Sequence, residues 1–531
     1  MSKYNTIANI SESPLDENLL YAGTDDGLIH VSTDGGENWR RAGKLSGVRD
    51  FFYVNDIKAD LHDRDTVYVA VDNHKQGDYK PYLFKSTNRG GSWRKITNGI
   101  PDRHLVWRVV QDHVKPGLMF AGTEFGVFFT VDGGGNWTKL GGNAPNIPFR
   151  DLVIQKREND LVGATFGRSF FVLDDYTPLR DISVGMLKND VALFPVRTTR
   201  WYMPRLPLGC MMPNCPESQG NAYFVAPNPP FGAVFTYYLN EPVRSKKDQR
   251  LELEKPLNEA GKDVEFPGWA AVNEESWEDE PSMLLTITDT QGNTINRVAG
   301  PVTAGFHRVA WNLRYPTPDP WQAEPDPEPW QPPGGTLVAP GSYTVTLSQR
   351  IDGKLRTLGQ SQTFEVVSIR EPTIAGISQE ERVTYLRGVD EIQRDVTASI
   401  SAIDELIGDT AAMKNALMRS VADPALYSET HRIEKRAKQL RDHLTANQQR
   451  DFMSDPGPMP ILNRIYVAGW GDRTSAQGPT QTQRRSLQIA KEEFSLVGSE
   501  LKQLLEVELR QLRENLDAAG VPWTPGRGGP D

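Results

Sequence analysis

The stretch STDGGENW, residues 32–39, occurs three times in related form near the start of the chain. Its second copy is STNRGGSW at residues 86–93, and its third is TVDGGGNW at residues 130–137. An Asp or Asn two residues after a hydroxyl side chain can accept hydrogen bonds within a turn, glycine permits positive φ, and tryptophan supplies a large apolar face. The pattern therefore predicts hairpin turns of one kind, with structural roles for Ser32, Asp34, Gly36, Trp39, Ser86, Asn88, Gly90, Trp93, Thr130, Asp132, Gly134 and Trp137.

The residues before each turn repeat as well. Apolar segments at 20–24, 67–70, 119–123 and 161–165 are versions of one strand, and each follows another apolar strand led by Ile7, Val54, Val106 or Phe149. A unit of about four short antiparallel strands that recurs every ~45 residues is typical of a propeller blade. In the last unit, FFVLDD at 170–175 has an aspartate pair in place of the full motif. We therefore predict a partial or four-bladed β-propeller over residues 1–180.

These turns resemble the Asp-box, or BNR, repeats of sialidases, some glycoside hydrolases and sortilin-type propellers. The segments 161–179, 227–233 and 311–315 are similar to parts of large bacterial proteins named glycosyl hydrolase or sortilin-like repeat proteins. The resemblance spans nearly the whole chain, but only as the C-terminal half of such a protein. It implies a propeller of many more blades and an exported protein, either secreted or periplasmic. The N-terminal stretch has no basic segment followed by an apolar one, so we expect no signal peptide, and a cytoplasmic location stays open.

After the predicted propeller, the hydrophobic pattern changes to short strands. Residues 181–230, rich in Pro, Met, Trp and Tyr, are predicted to form an irregular connector. Regularly spaced strands of period two over 231–370 predict an immunoglobulin-like β-sandwich. Its polar or proline-rich insertions, 241–281 and 316–340, are predicted to be long loops.

The last part of the chain has helical periodicity. Ser378 and Glu381 form a capping box, and apolar residues follow at helical spacing. We predict an α-helical hairpin or bundle over 376–520 and a disordered tail over 521–531. The predicted fold class is therefore mainly β, with a helical domain at the C-terminal end.

Composition and charge exclude several classes of protein. The 531 residues carry a net charge of −10, spread along the chain, which argues against a nucleic-acid-binding surface. No apolar run approaches the roughly 18 residues that a membrane span requires. The two cysteines, Cys210 and Cys215, could form a disulfide in an exported protein or remain free thiols, and they are too few for a structural zinc site. No metal or cofactor is predicted.

The first strand of each unit would line the axis of a propeller, so its polar residues are the candidate site. Alignment of the units places Asn9, Asp56, Arg108 and Asp151 in one register, with Trp107 and Arg150 beside them. One interpretation is a salt-bridge network that satisfies itself, and the other is a ligand pocket for a sugar or a peptide end. The isolated histidines are predicted to lie at the surface, among them His62, His74 and His104.

The sequence supports three hypotheses about function. In the first, the chain is a non-catalytic binding or scaffold protein of the cell envelope that docks a glycan or a peptide or protein ligand. In the second, it is a sialidase-like or glucanase-like glycoside hydrolase of extracellular polysaccharide, for which Asp56 and Asp151 are the candidate carboxylates. In the third, it is an incomplete product that needs an upstream propeller half or self-association, because an unclosed propeller leaves an edge open to pairing.

Overall fold

The computed structural model describes residues 6–183, 185–186, 189–204, 226–320, 334–371, 373–455, 457–471 and 475–527. The chain divides into two compact units, Met1–Asp190 and Val191–Asp531. Helices and strands take comparable shares of the described residues, so the fold class is mixed α/β. The prediction of a mainly β protein was wrong because the C-terminal helices are long and because the insertion at 241–281 is helical.

The first unit contains four antiparallel sheets, which we call blades 1 to 4. Blade 1 consists of β1 (Ile7–Ser13), β2 (Asp16–Thr24), β3 (Ile29–Ser32) and β4 (Arg40–Arg41). Blade 2 consists of β5 (Tyr53–Ala59), β6 (Val67–Asn73), β7 (Asp78–Ser86) and β8 (Arg94–Lys95). Blade 3 consists of β9 (Val106–Gln111), β10 (Met119–Thr123), β11 (Gly126–Thr130) and β12 (Thr138–Lys139). Blade 4 consists of β13 (Phe149–Gln155), β14 (Asp160–Thr165) and β15 (Phe170–Leu173), and α1 (Pro178–Asp181) follows it.

Successive blades pack face to face through buried apolar side chains. The blade 1–2 core contains Tyr21, Val31, Val54, Ile57 and Phe84. The blade 2–3 core contains Tyr68, Leu83, Val106, Val109, Phe128 and Trp137. The blade 3–4 core contains Leu118, Phe120, Val127, Phe149 and Leu152. The blades therefore follow one another in chain order, and the prediction of repeated antiparallel, propeller-like units is confirmed.

Each motif of the STDGGENW type lies in the turn between the third and fourth strands of its blade. In blade 1, Ser32 Oγ donates to Asp34 Oδ1 at 2.8 Å and accepts from the backbone N–H of Gly36 at 2.9 Å. Asp34 Oδ1 also accepts from the backbone N–H of Asn38 at 2.9 Å. Gly36 has φ of 99°, a conformation that a residue with a Cβ adopts only under strain. The turn is thus held by side-chain oxygens that bond its own backbone.

The second copy uses Asn88 where the first uses Asp34, with the same bonding. Ser86 Oγ donates to Asn88 Oδ1 at 2.9 Å, and Asn88 Oδ1 accepts from the backbone N–H of Ser92 at 2.8 Å. An amide oxygen therefore suffices for the turn, and the carboxylate charge is not needed.

Replacement of Asp34 by Asn is expected to leave the protein stable at neutral pH. It should also weaken the dependence of the unfolding free energy on pH in acid. Hydrogen bonds from the Asn38 backbone and side chain, and from Ser32, lower the pKa of Asp34 to about 2. A carboxyl group whose pKa is depressed on folding stabilises the protein above its unfolded pKa of roughly 3.9, and this stabilisation is lost as the pH falls through the folded pKa. Denaturant unfolding of wild type and Asp34→Asn between neutral and acid pH measures the difference. The reverse change, Asn88→Asp, should add acid dependence, and parallel pH profiles for all three proteins would contradict the assignment.

The second unit begins with two sheets that share one core. The three-stranded sheet consists of β16 (Val191–Leu193), β18 (Ala233–Leu239) and β21 (Gly305–Trp311). The six-stranded sheet consists of β17 (Thr199–Trp201), β24 (Gln362–Ser368), β22 (Gly341–Ile351), β19 (Ser282–Thr288), β20 (Thr294–Gly300) and β23 (Lys354–Thr357). β17 pairs with β24 in parallel, and the other pairs are antiparallel. Phe235 of the smaller sheet and Ile287 and Val345 of the larger one are buried in the shared core.

Two predicted irregular segments contain regular structure. The predicted connector 181–230 supplies β16 and β17. β16 pairs with β18 in the three-stranded sheet, and β17 pairs with β24 in the six-stranded sheet. The predicted loop 241–281 contains α2 (Lys246–Glu259) and α3 (Trp269–Trp277). Ser245 caps α2 in a capping box with Asp248. This start signal for a helix was overlooked because the segment is mostly polar.

The C-terminal region of the second unit is helical. Its helices are α4 (Gln379–Leu417), α5 (Pro424–Thr445), α6 (Gln448–Phe452), α7 (Ile461–Gly469), α8 (Gln481–Gln503) and α9 (Leu509–Ala518), with a π-helical turn at Leu504–Glu508. Ser378 caps α4 in a capping box with Glu381, as predicted. Apolar stripes of α4, α5, α7, α8 and α9 meet in a single core.

Part of the predicted disordered tail 521–531 is folded. Val521 and Arg527 are buried, and Arg527 Nη1 donates to the carbonyl oxygens of Val521 and Pro522 at 3.1 and 2.8 Å. Arg527 also pairs with Asp517 of α9. The glycine- and proline-rich composition suggested disorder, but one arginine satisfies the backbone carbonyls of the turn after α9.

Candidate functional site

The first strand of each blade, which we call its inner strand, is β1, β5, β9 or β13. Each inner strand carries a β-bulge at the same position. In blade 2, Val54 pairs with Val71 and Asp56 pairs with Ala70, so Asn55 is the extra residue. The same shift occurs in the other blades, where the extra residues are Ala8, Trp107 and Arg150. A bulge interrupts the ladder and re-aims the side chains beside it. The candidate site is therefore built on four bulges in register.

The residue after each bulge is one of the aligned polar residues, Asn9, Asp56, Arg108 and Asp151. Arg108 Nη1 donates to Asp56 Oδ1 at 2.9 Å, and Arg108 Nε forms an ion pair with Asp151 Oδ1 at 2.8 Å. Asn9 Nδ2 donates to the carbonyl oxygen of Asn55 at 2.8 Å. These contacts form a network that ties the inner strands of neighbouring blades together.

Asp56 is fully buried within this network. Burial raises the pKa of Asp56, while Arg108 and Lys58 oppose that shift. Its second oxygen accepts from the backbone N–H of Val109 at 2.9 Å. Both oxygens of Asp56 are thus occupied by blade 3, and a ligand would have to break these bonds to reach the carboxylate.

A pocket of about 370 Å³ lies beside the bulges of blades 3 and 4. Its lining residues are His74, Tyr79, Arg103, Leu105, Trp107, Glu124, Phe125, Pro148, Arg150 and Phe166. The bulge residues Trp107 and Arg150 belong to this lining, whereas Asn9, Asp56, Arg108 and Asp151 do not. The structure therefore separates the six predicted site residues into a network and a pocket.

Trp107 is held in the pocket lining by polar and cation–π contacts. Its Nε1 donates to Glu124 Oε2 at 2.9 Å, and the guanidinium carbon of Arg150 lies 3.7 Å from its ring centroid. The same guanidinium lies 5.7 Å from the ring centroid of Phe166, whose side chain is exposed. The pocket thus combines aromatic surface with a cation stacked on it.

Two arginines of the pocket have unused hydrogen-bond donors. Among the described residues, neither Arg103 nor Arg150 has a hydrogen-bond or ion-pair partner, and both are exposed. Arg103 has φ of 69°, an uncommon conformation for a residue other than glycine and one that tends to occur at functional positions. The one carboxylate in the lining, Glu124, is bonded to Trp107. The free polar groups of the pocket are therefore mainly cationic donors.

Sequence reasoning missed most of the pocket lining. His74, predicted to be an isolated surface residue, lies with its ring centroid 6.2 Å from that of Trp107 and pairs with the buried carboxylate of Asp72. His74 belongs to a short 3₁₀ turn, His74–Gln76, between β6 and β7 of blade 2. The extra residues that make this repeat longer than the others were the one available signal in the sequence. Cys210 and Cys215 lie outside the described residues.

Within the described part of the chain, no group of three or more His, Cys, Asp or Glu side chains is arranged to hold a metal ion. Over the same residues, every helix is too short or too polar to cross a lipid bilayer.

No protein-family model matches the chain, and no curated protein matches it. Among solved structures, a GH74 enzyme of Niastella koreensis is 17% identical over 30% of this chain and 26% of its own, with a TM-score of 0.25. YCF48 bound to D1 peptide is 16% identical over 32% of this chain and 51% of its own, with a TM-score of 0.26. An ancestral GH74 enzyme is 15% identical over 68% of this chain and 41% of its own, with a TM-score of 0.27. The chain thus spans between about a quarter and a half of these structures, and the likeness to GH74 and YCF48 β-propellers assigns neither a family nor a function.

Proposed function

We propose that the chain is a non-catalytic binding or scaffold protein whose blades dock a glycan or peptide ligand in the pocket around Trp107. The observation that carries the proposal is one pocket that combines an aromatic surface with two guanidinium groups, neither of which has a hydrogen-bond or ion-pair partner among the described residues. We further propose that the blades are those of an Asp-box propeller, that the two-sheet core is an immunoglobulin-like sandwich, and that the protein acts in the cell envelope. The last proposal rests on the family resemblance of the sequence.

The pocket chemistry suits a ligand with a flat apolar face and an anionic group. Trp107 and Phe166 offer ring faces on which a sugar or a side chain can stack. Arg103 and Arg150 offer N–H donors in the fork geometry that matches a carboxylate. A uronic acid or the carboxyl end of a peptide has both features.

The carboxylates favour binding over glycoside hydrolysis. A glycosidase needs two carboxyl groups roughly 5–9.5 Å apart at the scissile bond. Asp56 and Asp151 both pair with Arg108 instead, and Glu124 holds the indole of Trp107. Release of sugar from a polysaccharide by the wild-type protein, abolished by Asp56→Asn or Asp151→Asn, would contradict the non-catalytic proposal.

Loss of the Trp107 side chain is expected to weaken ligand binding by about tenfold or more, because stacking and the cation–π pair are both removed. Isothermal titration of the full chain with galacturonic acid oligomers, neutral glucose oligomers, and short peptides with free or amidated carboxyl ends measures the effect. Trp107→Ala should weaken every ligand that binds, whereas Arg150→Ala should weaken mainly the anionic ones.

Trp277→Ala is the matched control, because Trp277 is an exposed tryptophan of the second unit. Equal binding by wild type, Trp107→Ala and Trp277→Ala would place the ligand elsewhere. Equal affinity for anionic and neutral probes would contradict the role given to the two arginines.

A further inference from the structure

Blade 1 exposes apolar side chains at positions that the other blades bury. Ile7 lies directly before the bulge residue Ala8 of β1 and Ile10 lies two residues after it, and they are 64% and 66% exposed. Their counterparts in β5 are Val54 and Ile57, which are buried in the blade 1–2 core. Since Val54 and Ile57 are the residues that blade 2 packs against blade 1, Ile7 and Ile10 form the equivalent surface of blade 1, which the described residues leave largely uncovered.

The repeated tryptophan shows the same difference. Trp137 of blade 3 is 2% exposed in the blade 2–3 core, and Trp93 of blade 2 packs against the blade 1–2 core. Trp39 of blade 1 occupies the same motif position but is 41% exposed. We call the surface of Ile7, Ile10 and Trp39 the leading face.

Blade 4 exposes the opposite kind of surface. Val153, Phe170 and Val172 are exposed, with Phe170 at 70%. Strand pairing makes them the counterparts of Val110, Val127 and Phe129 in blade 3, all of which pack into the blade 3–4 core. We call the surface of Val153, Phe170 and Val172 the trailing face.

The two faces are complementary in kind, because every internal blade interface joins a trailing face to a leading face. Their high exposure shows that the leading and trailing faces of one chain do not cover each other. Exposed apolar patches of this sort mark interaction surfaces. A partner that covers both must itself present one face of each kind.

We infer that a second copy of this chain is that partner, with blade 4 of each copy packed on blade 1 of the other. One two-fold axis then generates two identical interfaces and closes the assembly. Two sets of four blades make a ring of eight, within the common range of about 4–8 blades for β-propellers. The same packing that joins blades 1 to 4 inside the chain is continued between chains.

The test is the solution mass of the full chain by light scattering and sedimentation velocity over a range of concentrations. The expected result is a discrete species of twice the chain mass of 59.4 kDa. Ile10→Glu and Phe170→Glu should each raise the dimer dissociation constant about a hundredfold or more, because a charge is then desolvated in an apolar interface. Leu253→Glu, at an exposed position of α2, should leave the mass unchanged.

A mixture of the two variants distinguishes this arrangement from other dimers. Ile10→Glu retains an intact trailing face and Phe170→Glu retains an intact leading face, so the mixture should recover a heterodimer through one unaltered interface. Because both substituted positions are exposed, thermal unfolding of the monomers should match that of wild type. A monomeric wild type, polymers larger than a dimer, or no recovery on mixing would each overturn the inference.

Discussion

Trp137→Ala is expected to lower the free energy of unfolding by about 3–5 kcal/mol, whereas Trp39→Ala should lower it by less than about 1 kcal/mol in the monomer. Trp137 fills the blade 2–3 core, and its Nε1 donates to the carbonyl oxygen of Ile96 at 2.7 Å. Its removal leaves both a cavity and an unsatisfied buried acceptor. Trp39 is partly exposed, and its Nε1 bonds Gly36 within its own turn at 3.0 Å.

Denaturant unfolding monitored by circular dichroism at low protein concentration compares the two variants. Trp137→Phe helps to separate the contributions, because it removes the Nε1–H donor and keeps most of the apolar volume. Similar losses for Trp137→Ala and Trp39→Ala would show that the turn, rather than the core between blades, determines the role of the tryptophan. In the dimer inferred above, Trp39 lies at the interface, so the effect of Trp39→Ala should grow with protein concentration.

Asp112→Ala is also expected to cost about 3–5 kcal/mol, because it leaves the largely buried guanidinium of Arg180 without its carboxylate partner. Asp112 is fully buried and accepts from Arg180 Nε at 2.9 Å, from Arg180 Nη2 at 2.7 Å and from the hydroxyl of Tyr176 at 2.6 Å. These bonds hold the segment that follows blade 4 against blade 3. Burial alone would raise the pKa of Asp112, but the hydrogen bonds from Arg180 and Tyr176 outweigh it and keep the pKa below its usual value.

The sign of the pH dependence follows from that lowered pKa. The charged form of Asp112 stabilises the protein above the unfolded pKa of roughly 3.9, and this stabilisation is lost as the pH falls through the folded pKa. The difference in unfolding free energy between wild type and Asp112→Ala should therefore shrink in acid. Asp102→Ala, at an exposed aspartate in the turn before β9, is the control and should have little effect. A double-mutant cycle of Asp112→Ala with Arg180→Ala should give strong coupling, and additive losses would contradict the proposed network.

The parts of the fold that follow from local repetition were predictable from the sequence. The turn motif and its preceding strands indicated the blades, and Ser378 with Glu381 indicated the start of α4. The helices of 241–281 and the folded residues after α9 were missed, because composition alone suggested loop and disorder. Bonds such as Arg180 to Asp112 join residues distant in sequence and leave no periodic signal.

The candidate site was predictable only in part. Alignment of the blades identified Trp107 and Arg150, but it grouped them with Asp56 and Arg108, which the structure commits to a network between blades. The reason is the bulge, which breaks the strict alternation of side chains on which register arguments depend. His74 and Phe166 reach the pocket from other segments of the chain, so alignment of the inner strands could not include them.

The recurring bulge also makes this fold a natural starting point for diversification. Its four extra residues are chemically unrelated, Ala8, Asn55, Trp107 and Arg150, and none of them belongs to the cores between blades. The scaffold thus tolerates a small, a polar, an aromatic or a cationic side chain at one equivalent position. A library randomised at these four codons would sample new recognition surfaces while the packing that holds the blades together stays constant, and the same freedom was open to natural selection.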